Sequence, residues 1–87
     1  MNIKKELITR EIAGEVILVP VGKSVLESNG LFALNELGAF LWKHLPEAQD
    51  ENTLVDLVLA EYDVDRATVQ ADTAEFLQNL RNMEILD

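Results

Sequence analysis

His44 is the only histidine in the chain and there is no cysteine, so the side chains that most often carry acid–base, nucleophilic or metal chemistry are nearly missing. No disulfide, thiolate zinc site, iron–sulfur cluster or cysteine nucleophile can be built. A lone histidine near the end of a helix is better read as a partner of the negative C-terminal dipole than as a ligand or proton shuttle. The acidic group Asp63, Asp65, Asp72 and Glu75 invites a calcium reading, but the EF-hand spacing and its turn glycine are absent. Solvated charge, with Asp65 capping a helix, accounts for it. Paired carboxylates for glycoside chemistry would need a cleft that 87 residues around one core do not easily form. No catalytic residue, no metal and no cofactor is expected. Trp42 is the remaining candidate: it falls off the main apolar row of its helix, so it either sits at the edge of the core or anchors a partner.

The elements that position these residues must form one small domain spanning residues 1–87. An apolar fraction of 48% beside 26% charged residues fits a chain that folds around a core. The net charge of −9 is unevenly spread. Residues 1–44 carry five basic and five acidic side chains, whereas residues 45–87 carry two and eleven. Such a surface repels phosphate and anionic lipid, which argues against nucleic-acid and membrane partners. No run is long enough to span a membrane and no signal peptide opens the chain, so a cytoplasmic protein is expected.

The first third reads as sheet. Leu7 to Ile12 alternates, Ala13-Gly14 offers a tight turn, and Glu15 to Val21 is a nearly unbroken β-branched run, which predicts a hairpin with the more buried strand second. Pro20 cannot donate to a ladder and should lie at a strand end or face an unpaired side. Asn29-Gly30, between Ser24 to Ser28 and Leu31 to Leu34, is a second hairpin signal, although Ser24 to Ser28 reads equally as loop. After Leu34 the period changes from two to nearly four. Asn35 can cap a helix carrying Leu37, Leu41 and Leu45, with Phe40 and His44 beside them, until Pro46 ends it. Gly38 costs that helix roughly 1 kcal/mol relative to alanine, and a close packing contact is the natural reason for it. A charged connection from Glu47 to Asn52 leads to a second helix bearing Leu54, Val55, Leu57, Val58, Leu59 and Tyr62. Asp65 then caps a third helix, Arg66 to Asn82, on which Val69, Thr73, Phe76, Leu80 and Met83 recur at spacings of four and three. Ile85-Leu86 either forms a short terminal strand or packs back on the core. The fold class is α+β and winged-helix-like: a small antiparallel sheet of three or four strands followed by three α-helices.

At this point the residues resemble a known family. Gly30-Leu31-Phe32-Ala33-Leu34-Asn35-Glu36-Leu37-Gly38-Ala39-Phe40-Leu41-Trp42 is similar to the LNE-x-G-A-x-x-W passage of the PqqD family, named for pyrroloquinoline quinone biosynthesis protein D. Arg10-Glu11-Ile12-Ala13-Gly14 leading into Val16 to Val21 matches at one end, and Glu61-Tyr62-Asp63-Val64-Asp65 followed by Asp72, Phe76, Leu77 and Leu80 matches at the other. One departure is Asn82-Met83-Glu84, where the family often has a glycine after the last helix; Asn82 is the residue here that tolerates a left-handed turn.

The resemblance implies a function that composition alone does not. Domains of this family are non-catalytic recognition elements for ribosomally synthesised, post-translationally modified peptides. They bind the leader of a precursor peptide as an added strand and present it to a modifying enzyme, often a radical S-adenosylmethionine (radical SAM) protein. By that analogy the peptide lies beside Leu31, Phe32, Ala33 and Leu34 and faces Asp72, Thr73, Phe76, Leu77 and Leu80 on the last helix. The same residues also serve as ordinary core. Two alternatives from other classes remain: a winged-helix DNA-binding protein, which the acidic surface opposes, and an oligomerisation domain whose exposed edge strand pairs with a copy of itself to give a homodimer.

Overall fold

The computed structural model describes residues 1–22 and 32–87. Three strands come first: β1 (Leu7–Ile12), β2 (Glu15–Pro20) and β3 (Phe32–Leu34), followed by α1 (Glu36–His44), α2 (Glu51–Glu61) and α3 (Arg66–Asn82). The strands form one antiparallel sheet in the order β1-β2-β3. The Asn29-Gly30 turn, Ser24 to Ser28 and Leu31 lie outside the described residues.

The first hairpin forms because Ala13 and Gly14 both adopt positive φ, 53° and 83°, the pair that a two-residue type I′ turn requires. It sets the register Ile12↔Glu15, Arg10↔Ile17, Ile8↔Val19. β2 is indeed the more buried strand, with Leu18 at its centre, while only Leu7 of β1 is even half-buried. Pro20 ends β2 as expected.

Each helix starts on a side-chain cap that satisfies an otherwise orphaned backbone donor. Asn35 accepts from the Gly38 N–H at 2.7 Å and Asp65 from the Thr68 N–H at 3.1 Å. Asp50 accepts from both the N–H and the hydroxyl of Thr53, each at 2.8 Å, so α2 begins inside the stretch expected to be a charged connection. These two bonds hold the Asp50 carboxyl below its ordinary range. A carboxylate depressed in the folded state stabilises the fold above its unfolded pKa, and that contribution fades as pH falls through the folded value. Asp50→Asn keeps an acceptor but no longer titrates, so the acid limb of a stability-versus-pH curve is expected to be shallower in this variant.

The three helices enclose the core. Leu41 and Leu45 of the α1 segment, Leu54, Val55 and Val58 of α2, and Val69, Leu77 and Leu80 of α3 are all buried in one cluster. Each such aliphatic side chain contributes about 1.5–3 kcal/mol through removal from water. Ile85 and Leu86 join the cluster, and they also pair: Ile3 and Leu86 form an antiparallel bridge, with the Lys4 N–H donating to the Ile85 carbonyl at 2.7 Å. Thus the C-terminal residues both pack and pair, with residues 2–4 as the partner strand.

The end of α3 corrects the expectation placed on Asn82. Asn82 is helical, and the left-handed residue is Glu84, at φ 60°. The Ile85 N–H donates to the Leu80 carbonyl at 2.9 Å and the Glu84 N–H to the Arg81 carbonyl at 3.0 Å, which is the double bond pattern of a Schellman cap with Glu84 in the glycine position. Seating Ile85 in the core fixes that position, whichever neighbour has the better intrinsic preference. Glu84→Gly is expected to raise stability by about 0.5–1 kcal/mol, measured by urea unfolding, because glycine carries no Cβ penalty there.

Candidate functional site

In an antiparallel ladder the hydrogen-bonded pairs recur every second residue. The Val21 N–H donates to the Glu6 carbonyl at 3.0 Å, and a two-residue turn closes on a bonded Ile12↔Glu15 pair, so Glu15, Ile17 and Val19 turn their backbone groups toward β1. Val16 and Leu18 therefore bond toward β3, where their partners are Leu34 and Phe32. It follows that the N–H and C=O of Ala33, opposite Ile17, point away from β2, at the edge of the sheet formed by the described residues. Its side chain is exposed, while Leu34 is buried and Phe32 half-buried on the core face. The same parity explains Pro20, whose missing N–H faces the β3 side beyond the last described pair, Leu18↔Phe32.

Beside this edge runs a groove of about 430 Å³ between β3 and α3. Phe32, Ala33 and Leu34 form one wall; Asp72, Glu75, Phe76 and Asn79 form the other; Leu37, Gly38 and Leu41 of α1, with the cap residue Asn35, lie at its base. Gly38 is where the walls meet. A Cβ there would stand 3.1 Å from Asn35 Oδ1, 3.3 Å from Phe76 Cε1 and 3.5 Å from Leu34 Cδ2, so the absence of a side chain lets strand, cap and helix converge. The close contact expected of this glycine is present.

The structure divides the residues expected to face a peptide. Phe32, Ala33, Leu34, Asp72 and Phe76 meet around the groove, and Leu31 lies outside the described residues. Thr73, Leu77 and Leu80 are fully buried and do not line it. Thr73 and Leu77 lie about 100° further round α3 than Asp72 and Phe76, Leu80 lies about 40° round from Phe76 one turn on, and all three support the wall from behind. Glu75 and Asn79 take their place at the surface; their i+3 and i+7 spacing from Asp72 is the sequence signal that identifies them. Thr73 adds a local defect: its Oγ1 is buried without a hydrogen-bond partner among the described residues. A hydroxyl so placed costs about 1–3 kcal/mol, so Thr73→Val is expected to gain about 1 kcal/mol and raise the melting temperature by roughly 4–8 °C.

The remaining candidates are structural. Trp42 is half-buried against the core cluster. His44 meets Phe40 at a tilt, 4.5 Å between ring centroids, and Phe40 meets Tyr62 edge-on at 5.4 Å. Phe40 and Tyr62 border a second cavity of about 530 Å³ on the opposite side of α1, where Val16, Ala39 and Lys43 also contribute. Among the described residues no group of three or more acidic or histidine side chains could hold a metal ion, and no helix is long and apolar enough to cross a membrane.

A strand at the edge of the described sheet with an outward-facing residue, set over a groove of mixed polar and apolar lining walled by a helix on a winged-helix-like α+β frame, is the geometry of a module that accepts an extended chain. The model of the family described as coenzyme PQQ synthesis protein D (PqqD) matches residues 15–86, and the chain belongs to that family. Among solved structures it is similar to TbiB1 in complex with the TbiA(beta) leader peptide, at 33% identity over 100% of this chain and 95% of that one, with a TM-score of 0.75. No curated protein matches it.

Proposed function

We propose that residues 1–87 act as one non-catalytic recognition domain, which binds the leader segment of a ribosomally synthesised precursor peptide as a fourth strand beside β3. The observation that carries this reading is Ala33, whose backbone donor and acceptor face the groove edge without a partner among the described residues. Membership of the PqqD family and likeness to TbiB1, a protein solved with a leader peptide, support it. Main-chain bonds at such an edge give affinity that barely depends on sequence, and the groove adds selectivity. Ordering a disordered leader consumes about 2–5 kcal/mol of the gross interaction, so modest affinity is expected. The bound peptide is then presented in the cytoplasm to a modifying enzyme, of the radical SAM class by family analogy.

β1 is the other open edge of the described sheet, and it is six residues long against three for β3. A homodimer, if one forms, has this second edge available and need not compete with the peptide. Anisotropy titrations with labelled leader peptides from precursors encoded near this protein test the proposal. Saturable binding at micromolar concentration is the expected result. Failure of every candidate at millimolar concentration would overturn it.

A further inference from the structure

Among the described residues the groove carries charge of one sign. Asp72 and Glu75, one helical turn apart on α3, are exposed at its rim, and neither has a hydrogen bond or ion pair with another described residue. Among the described residues no lysine or arginine lines the groove; Lys43 borders the other cavity, Arg66 pairs with Asp56 at 2.9 Å, and Arg81 donates to the Asp87 carbonyl at 3.1 Å. Around Gly38 the apolar side chains of Leu34, Phe76 and Leu37 meet, with the Asn35 Oδ1 beside them. Two kinds of recognition thus lie side by side along one helix.

Their separation fits an extended chain. From Asp72 to Phe76 is four helical residues, about 6 Å along the axis, and two residues of a strand span about 6.7 Å. A strand residue hydrogen-bonded to Ala33 must point its side chain to the outer face, as Ala33 does. Its two neighbours, opposite Phe32 and Leu34, then point into the groove, and these are separated by one residue. Resting on the leader-peptide reading, we infer that the groove selects a segment in which an apolar and a basic residue are separated by one. The apolar side chain seats over Gly38 between Leu34 and Phe76, and the lysine or arginine meets Asp72 and Glu75. The order of the two follows from strand direction. A cation there also relieves the repulsion between the two carboxylates, which like-charged neighbours on a helix otherwise bear.

The test is selection of a random dodecapeptide phage library on three immobilised proteins: the native chain, Ala33→Pro and the double variant Asp72→Asn/Glu75→Gln, each checked for folding by circular dichroism. Peptides enriched on the native chain should carry an apolar-x-basic or basic-x-apolar pattern, and should be lost on Ala33→Pro. Synthesised singly, they should bind the double variant roughly threefold to tenfold more weakly, with the difference shrinking in high salt. Enriched peptides that need Ala33 but show no basic preference, or bind the double variant equally well, would overturn this inference and leave edge-strand binding standing. Enrichment that is indifferent to Ala33→Pro would remove the edge-strand reading and this inference with it.

Discussion

Replacement of Ala33 by proline is expected to lower leader-peptide affinity at least about tenfold while the fold survives. The variant removes the donor that faces outward and sets a pyrrolidine ring where the incoming strand must lie. One lost hydrogen bond accounts for roughly 0.5–1.5 kcal/mol, and the steric block of the ring adds to it. The ladder to β2 is spared, because Phe32 and Leu34 make those bonds, and an edge strand tolerates proline when its N–H side faces outward. Phe32→Pro is the contrasting control: it strikes the bond opposite Leu18 and should loosen the sheet itself. Ala33→Val keeps the outward N–H and should bind. Anisotropy titration for affinity and thermal unfolding for stability separate the three.

Phe76→Ala and Leu77→Ala, one residue apart, are expected to fail in opposite ways. Leu77 is fully buried, and cutting it to alanine should cost about 2–5 kcal/mol, a large part of the stability of a domain this size. Phe76 is half-buried in the α3 wall of the groove, its ring beside the space above Gly38. Its truncation should cost less stability but several-fold or more in peptide affinity, since it removes an apolar wall that the peptide would otherwise bury. Measured at a temperature where both variants remain folded, Leu77→Ala should bind nearly as the native chain does. If Leu77→Ala instead lost affinity and Phe76→Ala did not, the wall of the groove would have been assigned to the wrong face of α3.

That division of α3 is the part of the site that could not be read in advance. A period near 3.6 places Asp72 and Phe76 on one row, with Leu80 one turn beyond, and Thr73 and Leu77 on the next, and both rows carry apolar residues. Which row turns inward depends on where α1 and α2 pack, a tertiary matter. The outward parity of Ala33 is equally long-range, because it follows from pairing with Ile17 across the sheet. Features set by near neighbours were legible: the Ala13-Gly14 turn, the caps Asn35 and Asp65, the break at Pro46 and the bounds of α3; the close contact at Gly38 was legible from the glycine alone, although its partner Phe76 was not. Two local features escaped for different reasons. Asp50 sits in an acidic stretch where its capping role is indistinguishable from solvated charge until Thr53 is seen to donate to it. Glu84 is a poor residue for a left-handed turn and is held there by the bonds from Ile85 to Leu80 and from its own N–H to Arg81.

The central claim is that a peptide pairs with the outward backbone of β3 inside the α3 groove. Amide hydrogen exchange and chemical shifts of the labelled protein, followed through a titration with a candidate leader peptide, test it most directly. The account predicts new protection at the Ala33 amide, with shifts concentrated at Phe32 to Leu34 and along Asp72 to Asn79. Protection at Leu7, Thr9 and Glu11 on the β1 edge, with Ala33 unchanged, would contradict it.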